Sequence, residues 1–373
     1  MPNSPQTDAA TSADERVLSI DALRGFDMFW IIGGHAVVWS ILEIFHDPIP
    51  ETIKYHMSHP AWIGFSARDM IMPLFLFIVG AAMPFSLAKR WERGDSTTRI
   101  YTKILGRSVV LFILGMAAQG NLLDLDHTTF HFFSNTLQAI AVGYLFGSIL
   151  LLHLPVVGQI VATAGLLIGF WALMMFVPFG DAAGGTLEPQ QNLAIHIDRT
   201  VFGEYDDGNT YTWLLSGLGF TATVMLGAFA GQLLRLRCLA VLKVLGLIAL
   251  GGACLAAGYA WSFHFPIIKH LWTSSMVLWA GGWSFLLLAL FYLVIDVIGL
   301  KGWAFPFIVI GANAIAVYMT VQVVNVHHIT GPIVGGLAKH VGPYGDPLLN
   351  ISRLAFLWLI LWYMYRNKTF IRV

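Results

Sequence analysis

About twenty consecutive apolar residues cross a bilayer as one helix, and this 373-residue chain repeats that pattern ten times. In hydrocarbon every backbone N–H and C=O must find an internal partner, so runs of this length are helical. They fall at 18–44, 63–88, 103–119, 135–153, 156–178, 212–234, 240–261, 272–297, 303–326 and 348–366, with only His-Leu-Pro-Val-Val between the fourth and fifth. The expectation is an all-α polytopic integral membrane bundle of about 10 transmembrane helices. Mean hydropathy is +0.71. Charged residues make up 11%, against roughly a quarter in soluble domains. With a formal net charge of +0, no basic surface argues for nucleic acid.

The basic residues orient the bundle. Lys89, Arg90, Arg93, Arg99, Lys103 and Arg107 follow the second run; Arg235, Arg237 and Lys243 follow the sixth; Arg366, Lys368 and Arg372 follow the tenth. Ten crossings place all of them on one side, which the positive-inside rule makes cytoplasmic. Both termini are then cytoplasmic, and His59 and the loops 179–211, 263–270 and 327–346 face outward. Residues 1–15 are polar and are expected to form a disordered tail; residues 16–373 read as a single transmembrane domain. No basic segment precedes the first apolar run, which carries Asp21, Arg24 and Asp27, so the start does not read as a signal peptide. Cys238 and Cys254 lie roughly 24 Å apart if helical, too far for a disulfide.

Ionisable groups inside apolar runs are costly and point to function. The segment His56–Gly80 carries His59 and Trp62 in a polar approach and Asp69 just inside the apolar run. In the first helix Asp21, Arg24 and Asp27 are three apart and share a face. His35, eleven positions beyond Arg24, extends that face by roughly 16 Å. This predicts a polar rail to mid-membrane, although Asp21 and Arg24 can equally pair with each other. Asn135 and Gln138 share a face, as ligand contacts or as interhelical cross-links. Asn313, among small residues, reads the same two ways. Lys269 and Trp272 sit at the outer mouth of the eighth helix, where Trp272 also suits an interfacial anchor. Asp296 reads as a solvated interfacial carboxylate. His327–His328 and His127…His131 are the close histidine pairs; neither has an evident third ligand, so no metal is expected. No phosphate-binding loop, Gly-x-Ser-x-Gly elbow or dinucleotide fingerprint is present.

RVLSIDALRGFDMFWIIGG, HPAWIGFSARDMIMPLFLFIVG, FPIIKHLWTSS, FPFIVIGANAIAVY and YRNKTFIRV together resemble heparan-alpha-glucosaminide N-acetyltransferase and its bacterial relatives, within a wider superfamily of membrane acyltransferases. The resemblance implies a multi-pass enzyme of a bacterial inner membrane. It would take acetyl from cytoplasmic acetyl-CoA and deliver it to an amino sugar or glycan on the far side. It maps the family's active histidine onto His59, its acidic partner onto Asp69 and a helix-nine asparagine onto Asn313. Mammalian relatives carry Asn where this chain has His35, whereas the wider acyltransferases place a histidine at a similar distance past an arginine. His35 is therefore expected to share the base role. The mammalian relatives also have a lumenal region and a helix ahead of the ten, which are not expected here. The resemblance allows a homodimer.

The residues reach a compatible reading by themselves. Imidazole is poised to move a proton near neutral pH or to be acylated. Catalysis is expected from His59, Asp69 and His35, and acetyl-CoA binding from Arg24, Asp21, Asn135, Gln138 and Asn313. Trp62, Lys269 and Trp272 would bound the acceptor cavity, with membrane lipid around the bundle. The alternative is a proton-coupled solute transporter using His35, Asp69 and Arg24 as a relay; no internal repeat or broken helix pair is visible to support it. A non-catalytic scaffold is the third reading.

Overall fold

The structure is a computed structural model describing residues 17–45, 48–119, 130–324 and 326–371. The chain is an all-α polytopic membrane protein. Among the described residues nine helices are long and apolar enough to cross a membrane: α1 (Leu18–Phe45), α3 (Arg68–Glu92), α4 (Thr97–Ala118), α5 (Thr136–His153), α6 (Val156–Phe176), α8 (Gly217–Arg235), α9 (Ala240–Ser262), α10 (Ser274–Val297) and α14 (Gly342–Arg366). The bent pair α11 (Gly302–Ala312) and α12 (Ala314–Val323), which meet at 65°, is long and apolar enough to make a tenth if its halves form one span. Shorter helices α2 (Glu51–Met57), α7 (Leu193–Phe202) and α13 (His327–Ala338) lie between them. Strands β1 (Leu187–Glu188) and β2 (Gln191–Asn192) form a small antiparallel hairpin.

Local chemistry fixes the helix limits. Ser96 caps α4 by accepting from Arg99 N. Asn135 and Gln138 form a reciprocal capping box at the start of α5, satisfying N–H groups that the helix itself leaves open. Leu154 is extended ahead of Pro155, which separates α5 from α6, because proline disfavours helical backbone in the residue before it. At the far end of α10, Asp296 accepts from Leu18 N (3.2 Å) and Ser19 N (3.0 Å). The expected solvated carboxylate is instead the cap of α1.

Helices α3 and α8 are the most buried spans and pack on each other. The contact is backbone on backbone. A Cβ at Gly80 would overlap the Val224 carbonyl, and one at Gly227 would overlap the Phe77 carbonyl. Helices α1 and α11 meet the same way, Gly25 against Phe307 O and Gly311 against Asp21 O. Lipid offers little hydrophobic gain for joining helices, so close packing of small residues takes that role.

Three sequence expectations change. The second span starts at Arg68 rather than at 63, and residues 58–67 form an irregular loop, so His59 lies ahead of the helix. The ninth span, expected to be continuous, is broken at Asn313 (φ −129°, ψ 37°). Finally, α1 contains a π-turn at Trp30–Gly34 with Gly33 at φ 141°. Each extra residue in such a turn shifts the helical phase, so counting 3.6 residues per turn from Arg24 does not place His35.

Gly227→Val should destabilise the folded protein by about 3 kcal/mol, the upper range for overpacking. Gly106→Val, where nothing lies within 4 Å of an added Cβ, should be neutral. Thermal unfolding of both variants in detergent decides it; equal midpoints would contradict the α3–α8 contact.

Candidate active site

Loop 58–67 is held from three sides. Gly64 N donates to Ile267 O (2.9 Å), pairing this loop with the α9–α10 loop. Trp62 Nε1 donates to Leu187 O (2.9 Å) in β1. Ser66 Oγ donates to Ser58 O (2.6 Å), closing the loop on itself just before His59. These bonds bring the sequence-distant His59, Asp69 and Lys269 together.

Asp69 is 2% exposed and each of its oxygens is used. Oδ2 accepts from Ser66 N at 3.0 Å. Oδ1 lies 2.6 Å from His59 Nδ1 and 3.1 Å from Lys269 Nζ. A buried carboxylate is costly unless paired and hydrogen-bonded, and Lys269 supplies the charge. The His59 contact assigns a proton to Nδ1, leaving Nε2 as the basic lone pair. Nε2 makes no hydrogen bond among the described residues, and 40% of the His59 side chain is exposed. Burial lowers the Lys269 pKa, against the raising effect of Asp69.

An aromatic wall stands beside this group. His270 stacks on Tyr211 with centroids 4.0 Å apart, and Trp62 meets His270 edge-on at 5.4 Å. Thr210 Oγ1 and His270 Nδ1 are 2.6 Å apart. Desolvation and the nearby Lys269 cation push the His270 pKa down to about 4. The Tyr211 hydroxyl is pushed up to about 12 by burial and the Asp69 charge. Both rings are therefore uncharged near neutral pH. The sequence does not single out Ser66 or Tyr211; His270, next to Lys269 at the mouth of the eighth helix, does read as a residue that could line a site, but its stacking depends on a remote loop.

The remaining sequence candidates lie elsewhere. His35 Nε2 donates to Met57 O (2.7 Å), a carbonyl that also accepts from Arg68 Nη1 (3.3 Å). It anchors the end of α2, two residues before His59, and makes no hydrogen bond to His59 or Asp69. Trp272 is 2% exposed, donates from Nε1 to Thr223 Oγ1 (3.0 Å) and packs on Phe220. It wedges the α9–α10 loop onto α8 and does not line the His59 opening. Asn135 and Gln138 are occupied by the cap of α5; Gln138 Oε1 accepts from Ser134 N and Asn135 N, both at 3.0 Å. Asn313 Oδ1 accepts from Ile371 N (2.9 Å) and its Nδ2 donates to Thr369 O (3.2 Å). It clasps the C-terminal segment where the ninth span breaks.

At the opposite end of the bundle, Asp21 and Arg24 pair at 3.3 Å. They line a cavity of about 350 Å³ together with Arg107, Ser86 and Ile371. Arg107 packs over the Tyr144 ring, and its buried Nε has no hydrogen-bond partner among the described residues. Among the described residues no group of three or more His, Cys, Asp or Glu could hold a metal ion; His127 lies outside the described residues.

Comparison with known proteins finds similar sequences. A domain of unknown function, DUF5009, matches residues 16–128, the segment holding both the Asp21–Arg24 pair and the His59–Asp69 pair. Heparan-alpha-glucosaminide N-acetyltransferase of Mus musculus is 24% identical over 379 residues, covering 86% of this chain and 57% of that protein. The Homo sapiens protein of the same name is 23% identical over 432 residues, covering 99% of this chain and 62% of that protein. The chain is a distant relative of heparan-alpha-glucosaminide N-acetyltransferase. It spans about three fifths of the length of those relatives.

Acid should test the His270 wall. Its folded pKa of about 4 lies below the unfolded value near 6.5, so the unfolded chain takes the proton first. The stability from a neutral buried ring is complete above about pH 6.5 and is lost as pH falls toward about 4. His270→Phe should flatten that loss, measured as thermal midpoints at about pH 7 and about pH 4.5. An acid sensitivity equal to that of the wild type would contradict the assignment.

Proposed function

We propose that the chain is a transmembrane acetyltransferase that moves acetyl from acetyl-CoA to an amino sugar or envelope glycan. The reading is carried by the His59–Asp69–Lys269 arrangement: an imidazole oriented by a buried carboxylate, with its second nitrogen unoccupied beside an aromatic wall. Trp62 and Tyr211 suit the apolar face of a sugar ring, and Lys269 can meet its hydroxyls.

The acetyl donor is placed at the Arg24–Arg107 cavity, on the side made cytoplasmic by the distribution of Lys and Arg. The unpartnered Arg107 Nε fits a phosphate group, which guanidinium binds well. Acetyl-CoA would supply an activated thioester. On the protein side, Asp69 keeps the His59 proton on Nδ1, so Nε2 can take the proton of the amine as its nitrogen bonds the acetyl carbon and return it to the thiolate released when the C–S bond breaks, or Nε2 can itself bond the acetyl carbon, with the same thiolate leaving, before the amine displaces it. Lys269 keeps Asp69 ionised. His35 acts here as a positioning residue through Met57, a smaller role than the shared base expected from sequence.

His59→Ala should lower acetyl transfer to glucosamine by about 10²-fold or more, the range for lost proton transfer, in a protein that still unfolds cooperatively. Asp69→Asn should lower it as well, by losing the tautomer. Intact-mass measurement after acetyl-CoA treatment separates the two routes: one added acetyl group, absent in His59→Ala, marks a covalent step. Full activity of folded His59→Ala would end this reading. The broken ninth span is the observation that favours a transporter; solute uptake into vesicles without acetyl-CoA would support that reading instead.

A further inference from the structure

A second cavity, of about 470 Å³, lies between α1, the start of α3 and α10. That volume is in the range of small-molecule sites. Phe26, Trp30, Phe65, Trp279 and Trp283 line it among aliphatic and polar residues, and it also carries Asp27. Each of the other polar groups on it makes at least one hydrogen bond within the protein. His35 donates to Met57 O, Arg68 donates to the same carbonyl, His56 Nδ1 accepts from Ala67 N at 3.3 Å, and Ser66 bonds Ser58 O. Asp27 differs. It is 1% exposed, its Oδ2 is buried without a hydrogen-bond partner, and no hydrogen bond or ion pair reaches it among the described residues. The nearest cation along its helix, Arg24, is paired with Asp21.

An acidic group left alone in an apolar site calls for a partner that it can ion-pair or hydrogen-bond. The surrounding rings present negative π-faces, which attract organic cations. Asp27 and the aromatic rings together suit an ammonium carried on an apolar body, held on the Asp27 side of the cavity away from Arg68. A neutral hydrocarbon would leave Asp27 unsatisfied.

We propose that this cavity is a binding site for a lipophilic primary amine, with Asp27 as the group that meets its ammonium. The site shares the Ser66–Arg68 turn with the His59–Asp69 pair yet is lined by different side chains. It does not depend on the acetyltransferase reading, because it is defined by binding alone.

The test uses the full chain in lipid nanodiscs, with 4-phenylbutylamine as probe and 4-phenylbutanol as its neutral counterpart. Titration calorimetry is corrected with empty nanodiscs. The amine should bind saturably, and roughly tenfold or more tighter than the alcohol, as expected for a charge-assisted bond plus cation–π contact. Asp27→Asn should lose that preference, Asp27→Glu should keep it, and Trp279→Leu should weaken the amine. Equal binding of amine and alcohol by the wild type, a result that needs no variant, would make the cavity a plain hydrocarbon groove and overturn the proposal. So would unchanged amine binding in Asp27→Asn, or no saturable amine binding by the folded wild type.

Discussion

One buried carboxylate organises the His59 end of the molecule. Asp69 is reached by a lysine from the α9–α10 loop, a histidine from the loop before α3 and a backbone N–H from Ser66. Each partner lies on a segment that is otherwise irregular. Without Asp69 the lysine would be buried without a counter-charge, and the imidazole would be free to rotate. A charged group this far from water is tolerable only with its full set of partners, and that requirement fixes the relative position of two loops distant in sequence. The Gly64–Ile267 pairing and the Trp272 wedge then hold those loops against the bundle.

The opposite end follows the same logic with different groups. Asp296 caps the first helix, Asp21 pairs with Arg24, and Asn313 grips the C-terminal segment. Polar side chains at helix ends and breaks thus satisfy backbone groups or one another. Among the buried polar atoms that find no partner within the described residues, Arg107 Nε and Asp27 Oδ2 belong to residues lining the two cavities. Such leftovers in apolar surroundings are where an external partner is needed.

The helical class and most span limits were legible because hydrocarbon permits few alternatives. His59, Asp69 and Lys269 stood out as ionisable groups at the edges of apolar runs, but their meeting depends on loop pairings that no periodicity encodes. His35 lies beyond a π-turn at Gly33 that breaks the helical count from Arg24. Asn135, Gln138 and Asn313 drew notice as polar groups near the membrane. Their capping and clasping partners lie in backbone, which a sequence does not display. Trp272 was read as an interfacial anchor or cavity wall, yet its indole reaches Thr223 in the buried core. The break in the ninth span gave no signal, since Gly-Ala-Asn-Ala is compatible with a continuous helix.

The proposed transfer needs the Arg24–Arg107 cavity and the His59 site to work from opposite faces. Reconstitution in sealed vesicles tests it most directly, with glucosamine trapped inside and acetyl-CoA supplied only outside. The account predicts acetylated glucosamine in the lumen, absent when vesicles carry His59→Ala. Product formed only when donor and acceptor share the same side would contradict it.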